Sequence, residues 1–418
     1  MASLSKKPSV PKVAVFVLLG LYTLFLLWKI ASGIDQRYQW DFKTHYCAAH
    51  VAKMGLNFYD QPYLRHFCSP DVQQYYSYTP QSIWFFRFFN LFDYPTAYLL
   101  FFILKVMALA GLLFLWKKIF LESEGDLGFF VFALLAFNSA LYVDLLTGNI
   151  SLFEQLGLWL GFFFLLRRKL FLFGLCVVLV ANFKVVPLAF LILLLFQEDK
   201  KKRLHFFGWL AGFLGLQAVS FALSPLLFKE FLRVFFTMLR ETSGVLNPST
   251  FVWLQNLIRS YYPRLLGSAP PVLLSYAVFT LAAGGIVWLT GQALGRLKRR
   301  GWAETEKVAI FLSCTAYALL LPRFKDYSYV LLLVPAYFAL KKYSGGLGRV
   351  FLFGLMILSV PEFVNLPGFK EIFEQVWGFM PMWAAVTIWV LYLRYAASLK
   401  ARPSSQQTLY IDSAVGPV

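Results

Sequence analysis

At 418 residues the chain is 59% hydrophobic and 19% aromatic with only 14% charged residues, a balance that excludes a soluble globular protein and indicates a polytopic membrane protein. The formal charge of +18 arises from basic residues clustered between apolar runs, so membrane orientation explains it and nucleic acid is excluded as a partner. The four cysteines, Cys47, Cys68, Cys176 and Cys314, are too scattered for a metal cage.

Lys6, Lys7 and Lys12 precede a first apolar run near 13–32, which reads as a retained anchor because no small-residue cleavage site follows. Next comes the polar segment 41–60, DFKTHYCAAHVAKMGLNFYD. It predicts a short helix with Asp41 as N-cap and Gly55 as stop, since a carboxylate accepts free backbone N–H groups and glycine tolerates a left-handed cap. The competing role for Asp41 is that of a general base at the membrane surface. Cys47 and Cys68 share the outer side on this reading and are expected as two free thiols in preference to a disulfide. The aromatic stretch Tyr75 to Phe92 predicts an interfacial helix.

Apolar runs of about 20 residues cross a ~30 Å hydrocarbon core. They recur near 95–116, 127–146, 149–166, 204–228, 271–295, 306–321, 327–340, 349–366 and 379–396. The stretch 170–196 is interrupted by Asn182, Phe183, Lys184 and Pro187 and flanked by Arg167 to Lys169 and Lys200 to Arg203. The positive-inside rule wants both clusters in the cytoplasm, so this stretch is predicted to go in and return as two short helices turning at Lys184. The fold expected is all-α, with about twelve transmembrane or partly spanning helices. Residues 1–400 form one domain with both termini cytoplasmic, the loops 33–92, 229–270 and 367–378 are outside, and 401–418 is a disordered tail.

This topology gathers Asp41, His45, Asp60, Asp144, Asn149, Lys184, Asn247, Arg323, Lys325 and Asp326 on the outer face. Ionisable residues at membrane depth are costly and are functional candidates by default. For Lys184 the alternatives are a snorkelling lysine or a structural partner of Asp144. For Arg323 and Lys325, in LPRFKDYSY, the alternative is an ordinary solvated loop. There is no Walker loop, HExxH or GxSxG, and His45 and His50 are five apart, the wrong spacing for two metal ligands on one helical face.

The run Asp41, Phe42, Tyr46, Ala48, Ala49, Gly55, Asn57, Tyr59, Asp60 resembles the first outer loop of family 87 glycosyltransferases, polyprenyl-phosphate-mannose-dependent mannosyltransferases and relatives of the GT-C superfamily. Tyr78 to Pro80 resembles the family's Y-x-P, GNISLF from Gly148 its G-Q-x-N segment, and NFKVVP with Lys184 and Pro187 its K-x-x-P turn. Where many members carry a histidine pair after S-P-x-x-W, this chain has Pro322 to Ser328, so no histidine is carried over there.

The resemblance implies inverting transfer of a hexosyl unit, mannosyl by preference, from a polyprenyl-phosphate sugar to a lipid or glycan acceptor on the outer face of the plasma membrane. Asp41 is then the base, and Lys184, Arg323 and Lys325 hold the donor phosphate. His45, Tyr46, Tyr59, Asp60, Tyr78, Asn149, Asn247 and Asp326 are the expected substrate-positioning residues. The expected partners are the lipid-linked donor, the acceptor and membrane lipids, with no cofactor and no residue assigned to a metal, and with use of a divalent cation left open. A transporter or lipid-linked-sugar flippase, and an inactive subunit of an envelope assembly, are the readings from other classes.

Overall fold

The computed structural model describes Leu24 and residues 39–122, 127–197, 199–238, 247–300, 302–343, 346–357 and 377–399. Apart from Leu24, the first anchor at 13–32 lies outside them, as do most of the 367–378 loop and the tail from 401. All the secondary structure among the described residues is helical. The polar segment forms α1 (Trp40–Lys53), stopped by Gly55 at φ +74° as expected. A second short helix, α2 (Gln61–Phe67), and a one-turn helix, α3 (Ile83–Arg87), complete the first polar region. The Tyr75 to Phe92 stretch is therefore a series of short turns and not one helix, with Trp84, Phe88 and Leu91 exposed along it.

The apolar chain continues as α4 (Tyr94–Leu115), extended to Leu121 by a π-helical turn, then α5 (Leu127–Thr147) and α6 (Ser151–Leu166). Helix α5 is broken at Phe137, Asn138 and Ser139, which all adopt positive φ, and Asn138 Nδ2 donates to Asp326 Oδ1 at 3.2 Å from this break. The 170–196 stretch is a hairpin: α7 (Leu170–Ala181) descends, the chain turns at 182–185, and a 3₁₀ segment (Val186–Ile192) with α8 (Leu193–Phe196) returns. Arg168 bonds Gln197, so the two ends of the hairpin touch while Lys184 sits at its tip.

The remainder comprises α9 (Lys202–Leu223), α10 (Pro225–Met238), α11 (Thr250–Leu266), α12 (Val272–Arg300) and α13 (Trp302–Leu320). A 3₁₀ turn over Asp326–Leu332 then leads into α14 (Leu333–Lys342), followed by α15 (Gly346–Ile357) and α16 (Met380–Ser398). The core is built where α6 packs on α7, α12 on α13, and α5 on the 326–332 turn.

Four helices among the described residues are long and apolar enough to cross a membrane: Tyr94–Leu121, Gly128–Thr147, Lys202–Leu223 and Leu273–Arg300. Ser151–Leu166, Leu170–Ala181, Val186–Phe196 and Gly348–Ile357 are shorter apolar helices. Only 6% of the apolar window of α9 and 11% of that of α12 is buried in protein. Faces of that size and hydrophobicity turned outward are stable against lipid tails and not against water.

One expectation about cysteine is overturned. Cys47 on α1 and Cys68, just after α2, form a disulfide with their Cα atoms 5.4 Å apart. The turn after Gly55 folds α2 back along α1, which brings the two side chains within bridging range.

Candidate active site

Asp41 lies in the first turn of α1 but does not cap it; the N-cap is Gln39, and no side chain accepts from the helix start. The carboxylate is instead turned sideways into a polar clamp. Asn149 Nδ2 donates to Asp41 Oδ2 at 2.6 Å, and Gln74, with its amide oriented to satisfy both neighbours, donates to Oδ1 at 2.8 Å while accepting from Trp40 Nε1 at 3.1 Å. Asn149 is itself fixed, because its Oδ1 accepts from Ser151 N at 3.0 Å and Ser151 Oγ at 2.8 Å.

Asp41 is 4% exposed, and burial raises its pKa above the usual carboxylate range. The Asn149 hydrogen bond pulls it back, as do the charges of Lys325, Arg323 and Lys184 in that order. The result is a carboxylate more basic than one in water, facing three cations.

All four groups line one cavity of about 120 Å³. Lys184 enters from the hairpin tip, and its Nζ donates to Glu154 Oε2 at 2.6 Å and to Ser151 Oγ at 3.3 Å, lying 5.5 Å above the Tyr327 ring. The alternative pairing of Lys184 with Asp144 is not formed: Asp144 pairs with Lys105 at 2.8 Å instead, and Glu154, one turn into α6, is the partner of Lys184. An ammonium has three donors, so one hydrogen of Lys184 remains to be directed at a bound anion.

Arg323 and Lys325 reach the cavity from the segment between α13 and the 326–332 turn. Asn247 holds that segment, accepting from Phe324 N at 2.8 Å and donating to the Pro322 carbonyl at 3.3 Å. Asp326 lines an adjoining cavity of about 240 Å³ together with Asp41, Gln74 and Lys325.

His45, four residues after Asp41 and so on the same face of α1, also lines the main cavity. Its ring is packed against Tyr78 and Phe86, at centroid distances of 4.8 and 4.5 Å. Neither ring nitrogen has a hydrogen-bond partner among the described residues. Burial, reinforced by Lys184 and Lys105, lowers its pKa to about 3, so the imidazole is neutral. Gln155 Oε1, on the same wall, is likewise buried without a partner.

Tyr78 lines the cavity as well, its phenol held protonated chiefly by burial and secondarily by the Asp41 charge. Tyr46, Tyr59, Asp60 and Asn247 do not line it. Tyr59 donates to the Tyr78 carbonyl at 2.7 Å, Tyr46 to the Phe92 carbonyl at 2.9 Å, and Asp60 stands at the start of α2.

Sequence reasoning missed Gln74 and Glu154. Glu154 had a signal, an acid inside an apolar helix; Gln74 had none.

No curated protein and no solved structure matches the chain. A family model, that of glycosyltransferase family 87, matches residues 76–322. The matched stretch carries Tyr78, Asn149, Glu154 and Lys184, while Asp41 and His45 precede it and Arg323 and Lys325 follow at once. Since the match spans more than half of the chain, the protein belongs to glycosyltransferase family 87 and is a membrane glycosyltransferase.

Proposed function

We propose that the protein transfers a hexosyl unit, mannosyl by preference, from a polyprenyl-phosphate sugar to a hydroxyl of a lipid or glycan acceptor, with inversion, on the outer face of the plasma membrane. One observation carries this reading: Asp41, a buried carboxylate held by the Asn149 amide, shares a cavity with Lys184, Arg323 and Lys325, while the cavity's other buried carboxylate, Glu154, is paired with Lys184. That is the charge distribution the chemistry needs. As the acceptor oxygen bonds to the anomeric carbon, Asp41 takes its proton, and the bond from that carbon to the phosphate oxygen breaks. The negative charge gathering on the departing phosphate is met by the cations. His45 and Gln155 offer neutral hydrogen-bonding groups for sugar hydroxyls.

A lipid-linked donor is supported by the cavity's other wall. Phe231, Phe235 and Met238 of α10 line it, while Leu232 and Phe236 on the flank of the same helix are exposed. An amphipathic helix of this kind suits the boundary between a polar site and lipid tails. An outer-face site is supported by the Cys47–Cys68 disulfide, since such bonds persist in oxidising compartments. The hairpin adds support, because it brings Arg167 to Lys169 and Lys200 to Arg203 together at the end opposite Lys184.

The test is incubation of the purified protein in lipid nanodiscs with a panel of polyprenyl-phosphate sugars and a membrane-lipid extract, followed by mass spectrometry of the products. A new glycan from a polyprenyl-phosphate hexose is expected. Transfer from soluble nucleotide sugars, or from none of the panel, overturns the donor class.

A further inference from the structure

Below the cavity is an ion pair that the mechanism above does not use. Lys105, in the middle of α4, is 1% exposed, and Asp144, in the last turn of α5, is 0% exposed. Both lie within helices of membrane-spanning length. Charged groups in such segments are costly, so a pair retained there calls for a role.

The geometry indicates one. Lys105 Nζ meets the Asp144 carboxylate at 2.8 Å and also donates to the Asp144 main-chain carbonyl, which accepts from Thr147 Oγ1 at 3.3 Å as well. A last-turn carbonyl finds no main-chain donor within its own helix, and a cation there also suits the helix dipole. Lys105 thus fastens the end of α5 to α4.

Four residues on, the chain leaves the helix at Gly148, with φ +69°, and passes so close to α1 that a Cβ there would stand 2.8 Å from the Phe42 Cβ. The next residue is Asn149, whose amide clamps Asp41. On the other side, Lys105 lies 5.8 Å from the Phe101 ring, which stacks on Phe42 at 4.5 Å. Lys105 therefore reaches the neighbours of Asp41 by two routes, one through α5 and Asn149 and one through Phe101 and Phe42.

We infer that Lys105 is a positioning residue: by anchoring the C-terminal end of α5 through the Asp144 carbonyl, it holds the Gly148–Asn149 turn against α1 and so aims the Asp41 carboxylate. The inference rests on the reading of Asp41 as the base.

The test compares Lys105→Met/Asp144→Asn, which leaves no unpaired charge and no lysine, with Asp144→Asn alone, in which Lys105 keeps its bond to the carbonyl. Each is purified in nanodiscs and read in two ways: hydrogen–deuterium exchange over 147–153, and kcat and KM for the donor that the wild type uses. In the double variant, exchange over 147–153 should rise while the rest of the protein is unchanged, and kcat should fall roughly 10- to 100-fold with donor KM within about twofold, the scale of a small misplacement at a reacting group. Asp144→Asn should retain kcat to within about threefold; if it does not accumulate, the double variant is judged against wild type alone.

Exchange that rises throughout the protein, an unchanged 147–153 segment, or a kcat equal to wild type in the double variant overturns the inference. So does an equal loss in both variants. Because exchange is measured without turnover, a failure of the anchoring is distinguishable from a failure of Asp41 as base, which shows instead as full activity in Asp41→Asn.

Discussion

The Asn149 amide nitrogen lies 2.6 Å from Asp41 Oδ2, joining residues 108 positions apart in the chain. The bond ties the first polar segment to the turn between α5 and α6, and it separates two roles for Asp41 that the sequence left in competition. Asp41 does not cap its helix, so replacing the carboxylate by an amide should cost little stability. Asp41→Asn is expected to lower turnover by about 10² to 10⁴ while donor affinity stays near wild type. Turnover and donor binding, measured separately, check this, and a fully active variant removes the base.

The pH profile follows from burial. As the proposed base Asp41 acts ionised, and its pKa is raised, so activity should be lost as pH falls through a value above the ordinary carboxylate range. Asn149 lowers that pKa, so Asn149→Leu should move the acid limb to higher pH. The stability sign is opposite to that of a salt-bridged acid. The folded state holds the proton more tightly than the unfolded chain, so the Asp41 contribution favours folding at low pH and is lost as pH rises through the unfolded and then the folded pKa. A limb that does not move in Asn149→Leu would disconnect Asp41 from the rate.

On the proposed function Lys184 has two separable roles. Lys184→Ala removes one charge-assisted hydrogen bond to the donor phosphate, about 1.5–3 kcal/mol, so donor affinity should fall by one to two orders of magnitude. It also leaves the buried Glu154 carboxylate unpaired, so thermal stability should drop too. Adding Glu154→Gln should restore the melting temperature but not the affinity. Recovery of both together would make the lysine a purely structural partner.

The disulfide gives a prediction about stability and compartment. Cys47→Ser/Cys68→Ser should lose roughly 2–4 kcal/mol of stability, since the bridge closes a loop from α1, the helix that carries Asp41. In intact cells, impermeant thiol reagents should label Cys47 and Cys68 only after mild reduction. Thermal unfolding of the variant and peptide mapping of the labelled protein supply the two measurements.

Gly148 is a steric test of the clamp. Any side chain there meets the Phe42 Cβ at 2.8 Å and must hold φ near +69°, a strain on the order of 1–3 kcal/mol. Gly148→Ala should reduce both melting temperature and turnover. An active variant of unchanged stability would mean that the turn can move without disturbing Asp41.

Much of this arrangement was legible in the sequence because it depends on local signals. The hairpin at Lys184 was readable from two basic clusters around an interrupted apolar run, and the convergence of Asp41, Asn149, Lys184, Arg323 and Lys325 from the topology that put all five on one face. The pairings were not readable. Glu154 and Asp144 are both acids in apolar helices, and nothing in their spacing says which takes Lys184 and which takes Lys105. Gln74 sits in a loop with no periodic pattern, so its approach to Asp41 exists only in three dimensions. Cys47 and Cys68 were misread for the same reason: the fold-back of α2 that joins them is set by the turn at Gly55 and by packing, not by their separation of 21 residues.

The bonds between Thr79 and the Asn182 carbonyl, and between Gln81 Nε2 and Asn182 Oδ1 at 2.9 Å, join the first polar region to the hairpin tip. Tyr59, bonded to the Tyr78 carbonyl, extends that connection toward α1. The part of the cavity wall that carries Tyr78 and the part that carries Lys184 are therefore joined through hydrogen bonds. On the proposed function, a substrate pair has to match the span between the group that takes the proton and the groups that receive the phosphate.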